Sequence, residues 1–72
     1  MEYTIVIEQT QRNFSAYAPD LPGCVATGAT RDEVIREMRA AIDFHIESLR
    51  EHREPVPVPR CSAAVVAVAA PG

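Results

Sequence analysis

Five of the six prolines in this 72-residue chain fall in two short clusters, and these clusters limit where helices and strands can form. The first cluster is PDLPG (19–23) and the second is PVPVP (55–59). Proline lacks a backbone N–H, so Pro19 ends strand pairing and Pro55 forbids further helix. Within the first cluster, Pro22-Gly23 suits a type II turn, because proline fixes one φ and glycine accepts a positive one.

Three short β-strands are predicted before residue 30. The segment EYTIVIE (2–8) alternates, and so does NFSAYA (13–18) after the polar stretch QTQRN (9–13). Two alternating segments joined by a short polar stretch predict an antiparallel hairpin. The apolar segment CVATG (24–28) follows the first proline cluster and predicts a third strand.

A capping box at Thr30-Arg-Asp-Glu33 predicts the start of a helix that runs to about His52. We expect the Thr30 hydroxyl to accept from the Glu33 N–H and the Glu33 carboxylate to reach back to the Thr30 N–H. Spacings of three and four residues indicate an amphipathic helix that faces a core. Its apolar stripe consists of Val34, Met38, Ala41, Ile42, His45, Ile46 and Leu49.

The alternate prolines of PVPVP predict a stiff extended segment, and the run from Arg60 to Ala70 predicts a fourth strand. A right-handed crossover would place that strand parallel to an earlier one, with the helix on one face of the sheet. The sequence therefore predicts one domain over residues 1–72, an α+β fold with two layers in the order β-β-β-α-β.

Composition narrows the classes of function. The net charge is −3 and all seven cations are arginine, so the chain is a poor candidate for gripping nucleic acid and suits a basic protein partner better. Two cysteines are too few for a disulfide framework, and no secretory N-terminus is present, which favours a reducing cytoplasm. The uncharged run at 63–70 is far shorter than the ~20 residues of a membrane span.

The acidic residues do not predict a catalytic centre. A magnesium-dependent nuclease needs several converging carboxylates, whereas the first strand offers only Glu2 and Glu8 at its ends. Asp43 and Glu47 are expected on an exposed side of the helix. Asp20 has two readings: a general base or partner contact, or a turn residue that accepts from nearby backbone N–H groups. We predict no catalytic residue, no cofactor and no enzymatic activity.

The cysteines and histidines do not predict a metal site either. Cys24, Cys61, His45 and His52 supply four ligand types, but no close pair of the Cys-x-x-Cys kind anchors them. Cys24 opens an apolar strand and is expected to be a small buried hydrophobe, and Cys61 is read in the same way. His45 on the apolar stripe is expected to be a packed or interface histidine.

Taken together, these segments resemble the HicB-like antitoxin family of type II toxin–antitoxin systems. The resemblance covers nearly the whole chain. It is carried by Tyr17, Pro19, Asp20, Leu21, Pro22, Gly23, Cys24, Gly28, Thr30, Glu33, Pro55 and Pro57. It implies a partial ribonuclease-H-like fold and a binding protein that blocks a small basic RNA-cleaving toxin of the HicA type. Many such antitoxins carry a C-terminal DNA-binding domain. This chain ends at Gly72 without room for one, so direct DNA binding is not expected.

Two kinds of contact surface follow as hypotheses. For a toxin, the candidates are the loop at Asp20 and Leu21, a free strand edge, and the acidic helix side at Asp43 and Glu47. For a homodimer or tetramer, the candidates are the helix and the fourth strand, which is nearly all alanine and valine and includes Val65, Val66 and Val68, because an exposed apolar strand edge favours pairing with another chain. The alternatives are an orphan homo-oligomeric module without a toxin and a small metal-dependent nuclease.

Overall fold

A computed structural model describes residues 1–70 and shows a three-stranded antiparallel sheet followed by one helix. The strand order is β1-β2-β3, so β2 lies in the centre. The elements are β1 (Val6–Gln9), β2 (Phe14–Tyr17), β3 (Val25–Gly28) and α1 (Arg31–Glu51). This arrangement confirms the predicted α+β class and the order β-β-β-α.

The turn between β1 and β2 is closed by the side chain of Thr10. Its hydroxyl accepts from the backbone N–H groups of Arg12 at 3.2 Å and of Asn13 at 3.0 Å. The Thr10 N–H in turn donates to the Asn13 carbonyl at 2.8 Å. A side chain that binds its own turn fixes the hairpin register, which places Ile7 opposite Ala16.

The corner between β2 and β3 contains the predicted type II turn. The Cys24 N–H donates to the Leu21 carbonyl at 3.0 Å, and Gly23 between them has φ +83°. A second bond, from the Leu21 N–H to the Ala18 carbonyl at 3.0 Å, folds the corner back on itself. The corner consequently points Leu21 into the core, where its side chain is 0% exposed.

The core lies between the sheet and the first half of α1. It consists of six buried residues: Ala16, Ala18, Leu21, Cys24, Val34 and Met38. The prediction that Cys24 is a small buried hydrophobe is confirmed, whereas the same prediction for Cys61 is wrong, because Cys61 is exposed. The helix packs against β3 and β2, and its apolar stripe faces inward as predicted, although its C-terminal half is only half-buried.

The helix begins at the predicted cap. The Thr30 hydroxyl accepts from the Glu33 N–H at 3.1 Å. The reciprocal bond differs by one residue from the expected one, since the Glu33 carboxylate accepts from the Ala29 N–H at 3.2 Å instead of from that of Thr30. The Thr30 bond satisfies an N–H group of the first helical turn, as in a capping box, and the Glu33 bond satisfies the N–H of the residue before the cap.

The predicted strand over 2–8 is wrong in its bounds, because β1 begins only at Val6. Val6 pairs with Tyr17, the last residue of β2. Beyond Tyr17 the Ala18 N–H donates to the Cys24 carbonyl, and Pro19 has no N–H to donate, so neither residue donates a backbone hydrogen bond to the N-terminal segment. No strand within the described residues 1–70 therefore lies opposite residues 2–5.

The predicted fourth strand is also wrong for the described chain, and so is its parallel crossover. Residues 60–70 form no strand in the structure and are exposed throughout. A strand needs a partner for its backbone hydrogen bonds, and local residue preference cannot supply one. The valine side chains have a preference for strands, but no segment of residues 1–70 pairs with them.

Gly28 provides a test of the contact between helix and sheet. A Cβ at this position would lie 2.6 Å from the Val34 N and 2.9 Å from the Val34 Cα. Both atoms belong to the helix backbone, so relief of the clash requires a shift of α1. We expect Gly28→Ala to lower the free energy of unfolding by about 1–3 kcal/mol in urea denaturation. The matched substitution at the exposed neighbour, Ala29→Ser, should change it by less than about 0.5 kcal/mol. An equally small change for Gly28→Ala would contradict the close approach.

Candidate partner-binding surfaces

The carboxylate of Asp20 is a remote anchor for the C-terminal part of the chain. Its Oδ2 accepts from the backbone N–H groups of Arg60 and Cys61, each at 3.0 Å. One of the two interpretations from the sequence made Asp20 an acceptor for backbone N–H groups close to its own turn. The observed donors lie 40 and 41 residues away. Asp20 thus connects the proline-rich corner to the segment that follows PVPVP.

Two hydroxyl groups complete this attachment from the N-terminal segment. The Tyr3 hydroxyl donates to the Pro57 carbonyl, and the Thr4 hydroxyl donates to the Cys61 carbonyl at 2.7 Å. Proline offers a carbonyl but no N–H, so PVPVP cannot complete a strand ladder. The carbonyls of Pro57 and Cys61 therefore accept hydrogen bonds from side chains in place of the backbone of a neighbouring strand.

The hydrogen bonds at this anchor also set its electrostatics. The backbone N–H groups of Cys61 and Arg60 hold the pKa of Asp20 below its usual 3.8. The side-chain hydrogen bond with Asp20, then desolvation and the negative charge of Asp20, raise the pKa of the Cys61 thiol, while burial raises the pKa of the Cys24 thiol. A raised thiol pKa is the opposite of what activates a cysteine as a nucleophile.

An exposed aromatic ring lies among the acidic residues of the helix. The side chain of Phe44 is 75% exposed. Because so little of the ring is buried, it contributes little to the stability of the fold. It shares a surface recess of about 220 Å³ with Glu47, Ser48 and Glu51. Asp43, Glu47 and Glu51 are exposed, so this helix face combines an apolar centre with negative charge. We call Asp43, Phe44, Glu47 and Glu51 the acidic face.

The sequence-predicted contact residues occupy three separate places. Asp43 and Glu47 lie on the acidic face, whereas Asp20 anchors the C-terminal segment. Leu21 belongs to the core, and for that reason we leave it out of the proposed partner surface. Val65, Val66 and Val68 are exposed on the extended segment after Cys61. Within residues 1–70, no hydrogen bond or recess joins Asp20 to the acidic face.

Sequence reasoning missed Phe44, although a signal was present. An aromatic residue that falls outside the three-and-four spacing of the apolar stripe is directed away from the core. Tyr3 and Thr4 gave no comparable signal, because their partners are 54 and 57 residues away.

The structure also locates the residues considered for metal binding. His45 is half-buried on α1, and the His52 ring lies 2.8 Å from the Ser48 carbonyl at the end of the helix. Across the described part of the chain, no three His, Cys, Asp or Glu side chains gather closely enough to hold a metal ion. Within residues 1–70, α1 does not combine the length and the apolar character that a membrane-spanning helix needs.

The anchor leads to a prediction for Asp20→Asn. The amide is a weaker acceptor than a carboxylate, so residues 60 and 61 should become more mobile and the Cys61 thiol should alkylate faster at pH 8. The heteronuclear NOE of the Cys61 amide measures the mobility. Because the pKa of Asp20 is lowered, the wild-type attachment is complete at neutral pH and is lost only as the pH falls through that lowered value.

The control for this experiment is Asp32→Asn, which removes an exposed carboxylate in the first turn of α1. It should leave the Cys61 NOE and the alkylation rate unchanged. An Asp20→Asn variant with the wild-type NOE down to acidic pH would contradict the role assigned to Asp20.

Residues 3–71 match the family described as the HicB-like antitoxin of bacterial toxin-antitoxin systems. No solved structure gave a significant match.

Three relatives illustrate the range of similar proteins. A UPF0150 protein of Thermoplasma acidophilum is 36% identical over 58 residues, covering 79% of this chain and 84% of the relative. A UPF0150 protein of Synechocystis sp. is 38% identical over 56 residues, covering 76% of this chain and 71% of the relative. An uncharacterized 14.9 kDa protein in the rep-hol intergenic region of Haemophilus phage HP1 is 39% identical over 57 residues. That match covers 79% of this chain but only 43% of the phage protein. The chain belongs to the HicB-like antitoxin family.

Proposed function

We propose that this protein is a non-catalytic antitoxin that binds and blocks a small basic RNA-cleaving toxin of the HicA type. The observation that carries the proposal is the match of residues 3–71 to a family of antitoxins. The family supports an antitoxin role in general, and the identity of the toxin is the further step that we propose.

Binding without catalysis is consistent with the chemistry of the side chains. The pKa values of both cysteines are raised, which disfavours the reactive thiolate. The pKa of Asp20 is lowered, whereas a general base works best with a pKa near the ambient pH. Its Oδ2 is also occupied by two backbone N–H groups. We place the protein in the cytoplasm, where an RNA-cleaving toxin would act.

The acidic face is the surface we assign to the toxin. Carboxylates that surround an apolar centre favour a cationic partner, because opposite charges accelerate encounter and orient the two proteins. An exposed phenylalanine can pack against the stem or the guanidinium of an arginine. Phe44 would supply the desolvated centre of the contact, and Asp43, Glu47 and Glu51 would form its charged rim.

The function is tested by growth rescue in a bacterial host. The probe is the small basic protein encoded by the reading frame next to the gene of this chain. We expect that protein to arrest growth when it is expressed alone, and co-expression of this chain to restore growth. Arrest without rescue, or no arrest, would contradict the proposed function.

The surface is tested by single substitutions on the acidic face. Phe44→Ala and Glu47→Arg should each weaken binding to the same basic protein by about tenfold or more in calorimetry, equivalent to ~1.4 kcal/mol. Both side chains are exposed, so the free energy of unfolding should change by less than about 0.5 kcal/mol.

Glu8→Arg is the matched control, because it reverses one exposed carboxylate on β1 and changes the net charge by the same amount as Glu47→Arg. It should preserve affinity apart from a small effect of net charge at low salt. Equal losses for Glu8→Arg and Glu47→Arg would show that total charge matters and that the acidic face does not form the contact.

A further inference from the structure

A groove separates the N-terminal segment from α1. Its volume is about 620 Å³. The helix packs against β3 and β2, which leaves the side of β1 less covered, and β1 has a free outer edge. The apolar residues that line the groove are Met1, Tyr3, Ile5, Ile35, Met38 and Ile42.

The segment after the anchor is apolar and is not packed against the rest of residues 1–70. Residues 61–70 contain no charged side chain and no proline, so each residue offers both a backbone donor and an acceptor. All ten residues are exposed, with Val66 at 78% and Val68 at 81%. We call residues 61–70 the tail.

The attachment of the tail places it near the groove without filling it. Residues 57 and 61 are bound by Tyr3 and Thr4, and Tyr3 also lines the groove. Beyond Cys61 the tail projects from the body: the molecule extends 53 Å, whereas a 21-residue helix is only about 31 Å long. In the described part of the chain, both the groove and the tail are therefore left uncovered.

We propose that the tail of a second copy fills this groove and pairs with the free edge of β1, and that the two copies exchange tails reciprocally. The fourth strand that the sequence predicts then forms between chains. An added strand satisfies the backbone groups of the tail and of β1, while alternate tail side chains cover the apolar floor of the groove.

Interface size supports a second copy as the occupant. Each copy would contribute the ten tail residues and the nine residues that line its groove. Nineteen residues per copy is just below the roughly 20–30 residues a side of a standard stable interface. A chain of this length also buries a small fraction of its surface alone, about 60%, so it gains from additional burial.

Charge supports the same occupant. Two copies with a net charge of −3 repel each other in general, but the tail carries no charge to the groove. The charged groove residues Glu2, Arg39 and Asp43 therefore meet no like-charged side chain from the tail. A basic protein would instead be drawn to the acidic face.

The first experiment measures mass in solution by light scattering at micromolar concentration. The wild-type chain should have twice its 7.9 kDa mass. A chain that ends at Ser62, and the full chain with Val66→Asp, should both be monomers with unchanged circular dichroism. Val25→Asp is the matched control, because Val25 is 65% exposed on β3, and it should remain dimeric. A monomeric wild type, or a dimeric Val66→Asp, would overturn the exchange.

The second experiment distinguishes exchange from a tail that folds back on its own groove. Glu2→Cys and Val66→Cys are combined with Cys61→Ser, which leaves Cys24 buried as the other thiol. Mild oxidation should produce a covalent dimer on a non-reducing gel. An internal disulfide that migrates as a monomer, or a dimeric mass without any cross-link, would overturn the proposal. Neither measurement involves a toxin, so the result is independent of the growth test.

Discussion

The close approach of α1 to β3 at Gly28 determines how the rest of the molecule is arranged. Because glycine has no Cβ, the backbone of Val34 can lie almost on the strand, and the helix settles over β3 and β2. The core then forms on that side, from the corner residue Leu21 and the first two turns of the stripe. The consequence is that β1 lies at the margin of the sheet with a free edge, and the groove lies between α1 and the N-terminal segment that precedes β1. The absence of a Cβ at Gly28 thus allows α1 to lie close over β3, while the outer edge of β1 stays open to another strand.

The local features of this fold could be predicted from the sequence, because their causes lie within a few residues. The cap at Thr30 and the turn at Pro22-Gly23 follow from hydrogen bonds and φ preferences three or four positions apart. Where a strand begins and ends depends on whether another strand lies beside it, and residues close in sequence do not determine that. The segment 2–5 alternates as well as β1 does, yet it has no partner because Pro19 ends the opposing strand. The segment 60–70 has a strand-like composition and forms no strand in this chain for the same reason.

The candidate site was predictable to a similar extent. The acidic side of α1 followed from helical spacing, and the centre of that face, Phe44, was readable from its place outside the apolar stripe. Asp20 was predicted to accept backbone hydrogen bonds, but its donors in residues 60 and 61 could not be found without the fold. The family resemblance identified the same PDLPG residues. Their role in the structure is mechanical: Leu21 fills the core, Gly23 makes the turn and Asp20 holds the C-terminal segment.

Asp43 connects the two surfaces proposed for this molecule. It lies next to Phe44 on the acidic face, and it also lines the groove between α1 and the N-terminal segment. Its neighbour Ile42 faces the floor of that groove, so one helical turn presents an apolar side to the tail and an acidic side to a cationic partner. If a toxin binds the acidic face more tightly when the groove is filled, then by linkage the toxin must strengthen the exchange of tails by the same factor. The two events would then share the position of a single helix, and assembly and binding would be coupled through α1.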